Sequence, residues 1–417
     1  MWMICLLLIT AAFTHAPAPA IVYAFERSPE FVYKLEDIVQ LSLRHNPAIA
    51  GAEALLEQSE GQRVTAGSYL NPTVTASAGR GSIRDPSNGI SVTERTFTVE
   101  QPLEWPGKRA ARQHAADAAF AVAVAGKEET RVVLRAEAKA AFFQVLFAQQ
   151  DAQLANQNLK TVEDLVRLVS VRVSTKEAPI FELVKATVEL QKSRKDVARA
   201  DNSLVVARAK LNTVTGKVLG ERFAVQGDFE TPKIGLDLRR LTDQAVDRHP
   251  SLRRQQKAVE QAGFSLEQER ASRIPNVAVV GQYHREAGDE SVTAGLSVPL
   301  PIWYRRQGEI GTAMGIQRRA QAEQVRVLQD LEQTITQHFQ EVQTAQSQIT
   351  VFEQGLLYQA KEALDIAQFS FRNGVASLLE VIDAQRVYRQ TLLEYAQARA
   401  DHSIAFARLE RAVGGLP

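Results

Sequence analysis

Thr73-Val74-Thr75-Ala76-Ser77-Ala78-Gly79 places Val74, Ala76 and Ala78 on one face of an extended chain and Thr73, Thr75 and Ser77 on the other. The stretch from Val92 to Gln101 does the same, setting Phe97 and Val99 against Thr96, Thr98 and Glu100. Between them, Arg84-Asp85-Pro86-Ser87-Asn88-Gly89 has the composition of a turn. The pair then recurs. Val277, Val279 and Tyr283 alternate with Ala278, Val280 and Gln282, and Val292, Ala294, Leu296 and Val298 alternate with Ser291, Thr293, Gly295 and Ser297. Segments of about ten residues, apolar on one face and small-polar on the other, suit the strands of a transmembrane β-barrel. They also suit a soluble hairpin with one face on a core. Trp105 and Trp303 stand just past the prolines that end the second strand of each pair, where an interfacial aromatic girdle lies. Four such strands cannot satisfy their own edges in lipid, so in a membrane this pattern requires several copies of the chain.

The recurrence extends beyond the strands. Leu35-Glu36-Asp37-Ile38 through Asn46-Pro47 reappears as Leu238-Arg239-Arg240-Leu241 through His249-Pro250, and Asn71-Pro72-Thr73-Val74 as Ile274-Pro275-Asn276-Val277. Pro102-Leu103 before Lys108-Arg109 matches Pro299-Leu300 before Arg305-Arg306, and Leu211 and Gly216 match Leu409 and Gly414. A period near 200 residues is too long for a solenoid and reads as a duplicated domain. The expected organisation is a signal peptide over 1–24, a first repeat over 25–216, a linker over 217–237 and a second repeat over 238–417. Strands are expected at about 73–82, 92–101, 276–285 and 291–299, and long helical hairpins at about 107–215 and 306–413. Shorter helices are expected from about Val32 to Arg44 and from Ala48 to Ser68.

The rest reads as helix. From Lys108 to Arg172 only Gly126 interrupts, and from Gly308 to Arg372 only Gly311, Gly315 and Gly355. At 1.5 Å per residue each tract would reach about 100 Å. After a short break a helix returns, over Ile180 to Thr215 and over Leu378 to Val413. Leu154, Leu159, Val162, Leu165, Val166 and Val169 recur at spacings of mostly three and four, the seam of a coiled-coil-like hairpin, while interspersed Arg, Lys, Glu and Gln keep it water-soluble. An aromatic content of 7% fits long helices with thin apolar seams better than compact globular domains.

The apolar run Met1 to Ala12, followed by small residues at Ala20 and Ala24, reads as an export signal and is too short to span a bilayer. Its Cys5 is the only cysteine, so cleavage would leave a chain without thiols, suited to an oxidising compartment. A net charge of +1 without a basic cluster gives no reason to expect nucleic acid. His45 and His249 each precede a helix-ending Asn-Pro or Pro and read as residues at a helix C-terminus. His114, His284, His338 and His402 lack ligand spacing, and no metal site is expected. Gly107-Lys108-Arg109 lacks the other residues of a phosphate-binding loop, and no nucleophile elbow or zinc-protease motif occurs. Neither an enzyme nor a cofactor is indicated.

Phe371-Arg372-Asn373-Gly374-Val375-Ala376-Ser377-Leu378-Leu379-Glu380-Val381-Ile382-Asp383-Ala384-Gln385 resembles the tip of the second hairpin in the TolC family of outer-membrane efflux channels. Gln101-Pro102-Leu103-Glu104-Trp105-Pro106-Gly107-Lys108-Arg109 and Leu409-Glu410-Arg411-Ala412-Val413-Gly414 resemble the family's CzcC-like heavy-metal branch. The resemblance covers essentially the whole chain after the signal. It implies a mainly α fold with a small β part: duplicated long coiled-coil hairpins, plus four strands per chain in a barrel shared by a homotrimer. It also implies a passive outer-membrane exit duct with a periplasmic helical tunnel, a periplasmic adaptor protein and an inner-membrane pump as partners, and heavy-metal cations as cargo. Twelve strands would independently close a barrel with a water-filled lumen. A duct for drugs or type I secreted proteins, and a soluble periplasmic coiled-coil scaffold, remain as alternatives.

The resemblance further implies an adaptor-docking role for Gly374, Ser377 and Leu378, with Lys176 and Pro179 at the corresponding places of the first hairpin. Glu380 and Asp383 match acidic positions that narrow the periplasmic aperture in family members, whereas two solvated carboxylates on a charged helix are the plainer reading. Glu182 repeats Glu380, and Lys185 replaces Asp383, where it could pair with a carboxylate across the aperture. Ala376 stands where some relatives carry an arginine latch, so that latch is not expected here.

Overall fold

The computed structural model describes residues 31–83, 90–220, 222–229 and 237–415. The expected signal peptide, with Cys5, and the expected turn at 84–89 lie outside them. In chain order the first half contains β1 (Phe31–Tyr33), α1 (Leu35–His45), α2 (Pro47–Gly67), β2 (Thr73–Ile83), β3 (Ile90–Leu103), α3 (Lys108–Ser174) and α4 (Ile180–Val214). Then follow β4 (Phe223–Val225), α5 (Leu238–Arg248), α6 (Pro250–Ser272), β5 (Val277–Glu286), β6 (Asp289–Ser297), α7 (Gln307–Val351), α8 (Leu357–Arg372) and α9 (Leu378–Val413). Apart from β1 and β4, each half runs helix, helix, strand, strand, long helical tract, returning helix, the tract of the second half being divided into α7 and α8.

Strands from both halves make one antiparallel sheet in the order β2-β3-β5-β6. Its register pairs like with like: Val74 faces Val99, Phe97 faces Tyr283, Tyr283 faces Val292, and Val279 faces Leu296, all on the apolar face. Thr75 with Thr98, Thr96 with His284 and Gln282 with Thr293 lie on the polar face. A slip of one residue would exchange the two faces, so the alternation fixes the pairing.

The helices lie side by side. Toward the strands the neighbours run α2-α3-α6-α7, and toward the turns α4-α3-α9-α8, with α3 inside both arrays. Alanines make this close approach possible: Ala138, Ala141, Ala148, Ala152, Ala155, Ala200, Ala396 and Ala400 are all buried. A polar thread also crosses the array, from Gln385 on α9 to Asn158 on α3 (3.0 Å) and from Asn158 to Ser193 on α4 (3.1 Å).

Two elements differ from the expectation. Phe31–Tyr33 is a strand, not the start of a helix, because it pairs in parallel with Phe223–Val225. The helix begins only after Lys34, whose N–H is taken by the Asp37 carboxylate at 3.0 Å. The second long tract is also not one regular helix. It passes through a π-helical turn at Phe352–Leu356, where Gly355 leaves helical geometry, whereas α3 runs through Gly126 unbroken.

Leu219, Phe223, Val225 and Phe229 of the expected linker belong to the largest apolar cluster among the described residues. Phe223 and Phe229 pack with Phe142, Phe143, Ile38 and Leu211, and Tyr33 meets Phe223 edge-on at 6.2 Å. Gln149 of α3 holds β4 as a further strand would, donating to the Val225 carbonyl (3.0 Å) and accepting from the Val225 N–H (2.9 Å).

Candidate conduit and its helical tips

The apolar face of the sheet is solvent-exposed in the single chain. Val74, Phe97, Val292 and Leu296 are all exposed on it, with Val292 at 81%. None of the described residues covers this face, and its alternation is that of a lipid-facing surface. No helix among the described residues is long and apolar enough to cross a membrane. β2 and β6 are edge strands, so their outer backbone groups await partners.

At one end the sheet passes into the helices through a cluster of basic side chains. Arg109 donates to the Gly67 carbonyl (2.8 Å) and stacks on Tyr69, while Arg112 donates to the carbonyls of Ala66 and Ser68 (each 3.0 Å) and pairs with Glu104. These guanidiniums satisfy the free carbonyls at the end of α2. Lys108 reaches Asn276 at 2.6 Å, and desolvation, with Arg306 adding to it, holds its ammonium pKa below the ordinary value against the pull of Glu104. In the second half Arg306 binds Glu269 (3.1 Å from Nε). The residue before each long helix, Gly107 and Arg306, is left-handed in both halves. Trp105 and Trp303 lie at this end, Trp303 at 88% exposure.

At the other end of the helices the two turns have the same geometry from different residues. Lys176 and Gly374 are both left-handed, with φ of 65° and 75°. Glu177 donates to Arg172 (2.8 Å) and Val375 to Ser370 (2.9 Å), while Lys176 donates to Val173 and Gly374 to Phe371 (each 3.1 Å). Pro179 and Ser377 then stand at the N-caps of α4 and α9. The two tips pack on each other through Leu165, Val169, Ala186, Phe371, Leu378 and Val381.

Among the expected docking residues, Leu378 is 2% exposed and turned into this tip core. Val375 (83%), Leu379, Ile180 and Phe181 are instead the exposed apolar groups at the tips. An apolar residue in a turn between two helical periods was the available signal. Glu380 folds back as half of a capping box, accepting from the Ser377 N–H at 2.6 Å. Asp383 is exposed and paired to Arg386 on its own helix. Lys185 lies over the Phe181 ring at 4.5 Å, and one carboxylate oxygen of Glu182 is buried without a hydrogen-bond partner.

His249 stands at the C-terminus of α5, as expected, with its N–H donating to the Ala245 carbonyl (2.9 Å), but its side chain serves the next helix. Its Nδ1 accepts from the Ser251 N–H (3.2 Å), and Nε2 lies 3.1 Å from the Arg411 carbonyl, which it can reach only as a donor. Burial lowers its pKa, against the opposing pull of that carbonyl. Asn46 does the same in the first half, accepting from the Ala48 N–H (2.8 Å) and donating to the Val214 carbonyl (2.7 Å). The last helix of each half is thereby tied to the turn between its first two. No group of three or more potential metal-ligating side chains forms among the described residues.

A family profile described as "Outer membrane efflux protein" matches residues 38–217 and 241–415. The chain is similar to the cobalt-zinc-cadmium resistance protein CzcC of Cupriavidus metallidurans, at 24% identity over 95% of this chain and 93% of that protein. It is also similar to the cation efflux system protein CusC of Escherichia coli K12, at 22% identity over 81% of this chain and 77% of that one. Among solved structures the fold matches the outer-membrane channel OprN, with a TM-score of 0.78 and 18% identity over 92% of this chain and 90% of that one. A structure of CusC also gives a TM-score of 0.78, at 16% identity over 97% of this chain and 99% of the other. The lipid-compatible sheet, the long helices that continue from it and a family match in both halves lead to one conclusion: the chain belongs to the outer membrane efflux protein family.

Proposed function

We propose that three copies of this chain form the passive exit duct of a tripartite efflux system, exporting heavy-metal cations drawn from the periplasm by an adaptor and an inner-membrane pump. The observation that carries this reading is the open four-stranded sheet, apolar on one face and polar on the other, continuous with long helices of which α3 alone runs about 100 Å. Four strands leave two edges unsatisfied, and three copies would close them around a water-filled lumen. Exposed apolar groups on α4 (Val184, Val188, Val205, Val206) and on α7 and α8 (Val325, Val351, Ile366, Phe369) suit contacts between adjacent copies. The names of the relatives similar to this chain support metal cations as cargo.

The adaptor would dock on the tips at Gly374, Ser377, Lys176 and Pro179, with Val375 as the apolar contact and Leu378 holding the turn from inside. Asp383, Glu380 and Glu182 would give each subunit three carboxylates at the aperture. A ring of them attracts cations and resists closing. The duct itself would perform no chemistry, since a conduit must release what it carries.

Planar-bilayer conductance of the detergent-purified oligomer tests the reading. Wild type should give small cation-selective openings, and Glu380→Ala/Asp383→Ala should give larger, less selective ones. Channels unchanged by the mutations would remove the acidic aperture, and a folded oligomer without channels would remove the duct.

A further inference from the structure

The outward face of the sheet changes character at the end away from the helices. Phe97 and Tyr283 face each other across β3 and β5 and close the apolar band. Two residues further on, Arg95 and Arg285 face each other in the same register, and Arg80 lies beside them on β2, opposite Thr93. By the alternation of the strands all three point the same way as Phe97 and Tyr283, toward lipid. Like charges directly opposite in a sheet destabilise it. Arg285 is relieved on one side by Glu290 (3.3 Å), the only carboxylate on this face of the described strand residues. Arg80 and Arg95 have no ion pair among the described residues. Among the described strand residues, three guanidiniums therefore stand against one carboxylate on this face.

The inward face at the same level carries the opposite sign. Glu94 faces Glu286, Glu286 faces Asp289, and His284 lies within 3.7 Å of Glu94 and 3.5 Å of Glu286. Acidic residues are thus available one position away along β3 and β5, yet the strand period directs them to the lumen. A mouth that needed only solubility would gain nothing from sorting its charges in this way.

We propose that Arg80, Arg95 and Arg285 form a binding site for the phosphates of the outer-leaflet glycolipid, the phosphorylated diglucosamine of lipid A. This rests on the outer-membrane placement of the sheet. The helices leave from the opposite end of the strands, so this end lies in the outer leaflet. The arginines stand at the margin of the apolar band, where lipid headgroups begin. Guanidinium is the side chain suited to bidentate phosphate recognition, and lysine in its place would keep the charge but lose the fork. Three subunits would present three such sites around the barrel, each fastening the channel to the leaflet that surrounds it.

The test is native mass spectrometry of the delipidated full-length oligomer. The protein is titrated with bis-phosphorylated lipid A, dephosphorylated lipid A and phosphatidylglycerol. Wild type should bind the phosphorylated form at least about tenfold more tightly than Arg80→Gln/Arg95→Gln/Arg285→Gln, and the dephosphorylated form should bind both proteins equally weakly. Arg95→Gln alone should weaken binding by about threefold or more, and it serves if the triple variant does not assemble. Undiminished binding by the variants would overturn the proposal. So would phosphatidylglycerol binding as tightly as lipid A, or displacement of lipid A by inorganic phosphate, either of which marks a general anion patch. Conductance measured on the same samples keeps the duct separate: unchanged openings with lost lipid A binding leave that reading intact.

Discussion

At the scale of single residues, left-handed positions divide by what surrounds them. Gly216 (φ 75°) packs on the His45 backbone so closely that a Cβ would lie 2.3 Å from the His45 carbonyl oxygen, whereas Gly374, with the same φ, has open space. Gly374→Ala should therefore cost about 1–2 kcal/mol from conformation alone. Gly216→Ala adds a backbone clash and should cost at least about 3 kcal/mol. Lys176 already bears the conformational cost at the matching turn, so Lys176→Gly should stabilise by up to about 1 kcal/mol. Unfolding midpoints of the three variants check this order. His249 makes stability depend on pH. Burial holds its native pKa below the unfolded value of about 6.5, so its contribution is complete above that pH and declines as the pH falls through it. His249→Asn, which installs the residue used by the first half, should flatten the decline between about pH 7 and pH 5. A slope equal to that of wild type would show that other groups set it.

At the scale of elements, β4 is held on one side by β1 and on the other by a single side chain. Gln149→Ala would leave the Val225 N–H and carbonyl unpaired in a largely apolar surrounding, at a cost of about 1–3 kcal/mol, and amide exchange should accelerate at Phe223–Val225 before it does in α3. The local sequence gave no indication of this strand. Three residues carry too little periodicity, and β1, its partner, lies far away in the chain and reads as helix. The barrel strands were legible because each runs about ten residues with a regular alternation. The turn at Phe352–Leu356 was signalled only by Gly355, a residue type that helices elsewhere in this chain tolerate at Gly126, Gly311 and Gly315.

For the whole molecule, the decisive property is that the sheet has a lipid side and a water side. Leu296→Arg, on the apolar face, should destabilise the assembled barrel by about 2–4 kcal/mol if it lies near the bilayer midplane, whereas Thr293→Arg, on the polar face, should leave assembly unchanged and alter conductance. Loss of the heat-resistant oligomer in the first variant and its retention in the second would confirm the sidedness. Equal assembly of both would contradict it. The repeat visible in Asn46-Pro47 and His249-Pro250 also finds its meaning at this scale. In each half the capping side chain ties the final helix back to the first two, so each long hairpin is anchored at its base.

The sequence by itself determined the elements whose cause is local: the strands, by their period of two; the long helices, by spacing and the scarcity of Gly and Pro; the tip turns; and the duplication. It also placed the candidate aperture and docking residues in the chain, because a motif is a matter of spacing. What only the tertiary structure decided depends on contacts between distant segments. The joining of both strand pairs into one sheet, the pairing of β1 with β4, the turning of Leu378 into the tip core, the use of Glu380 as a cap and the second role of His249, whose side chain caps α6, all belong to this class. So does the sorting of arginines outward and carboxylates inward, which becomes a surface only when the register of three strands sets Arg80, Arg95 and Arg285 together.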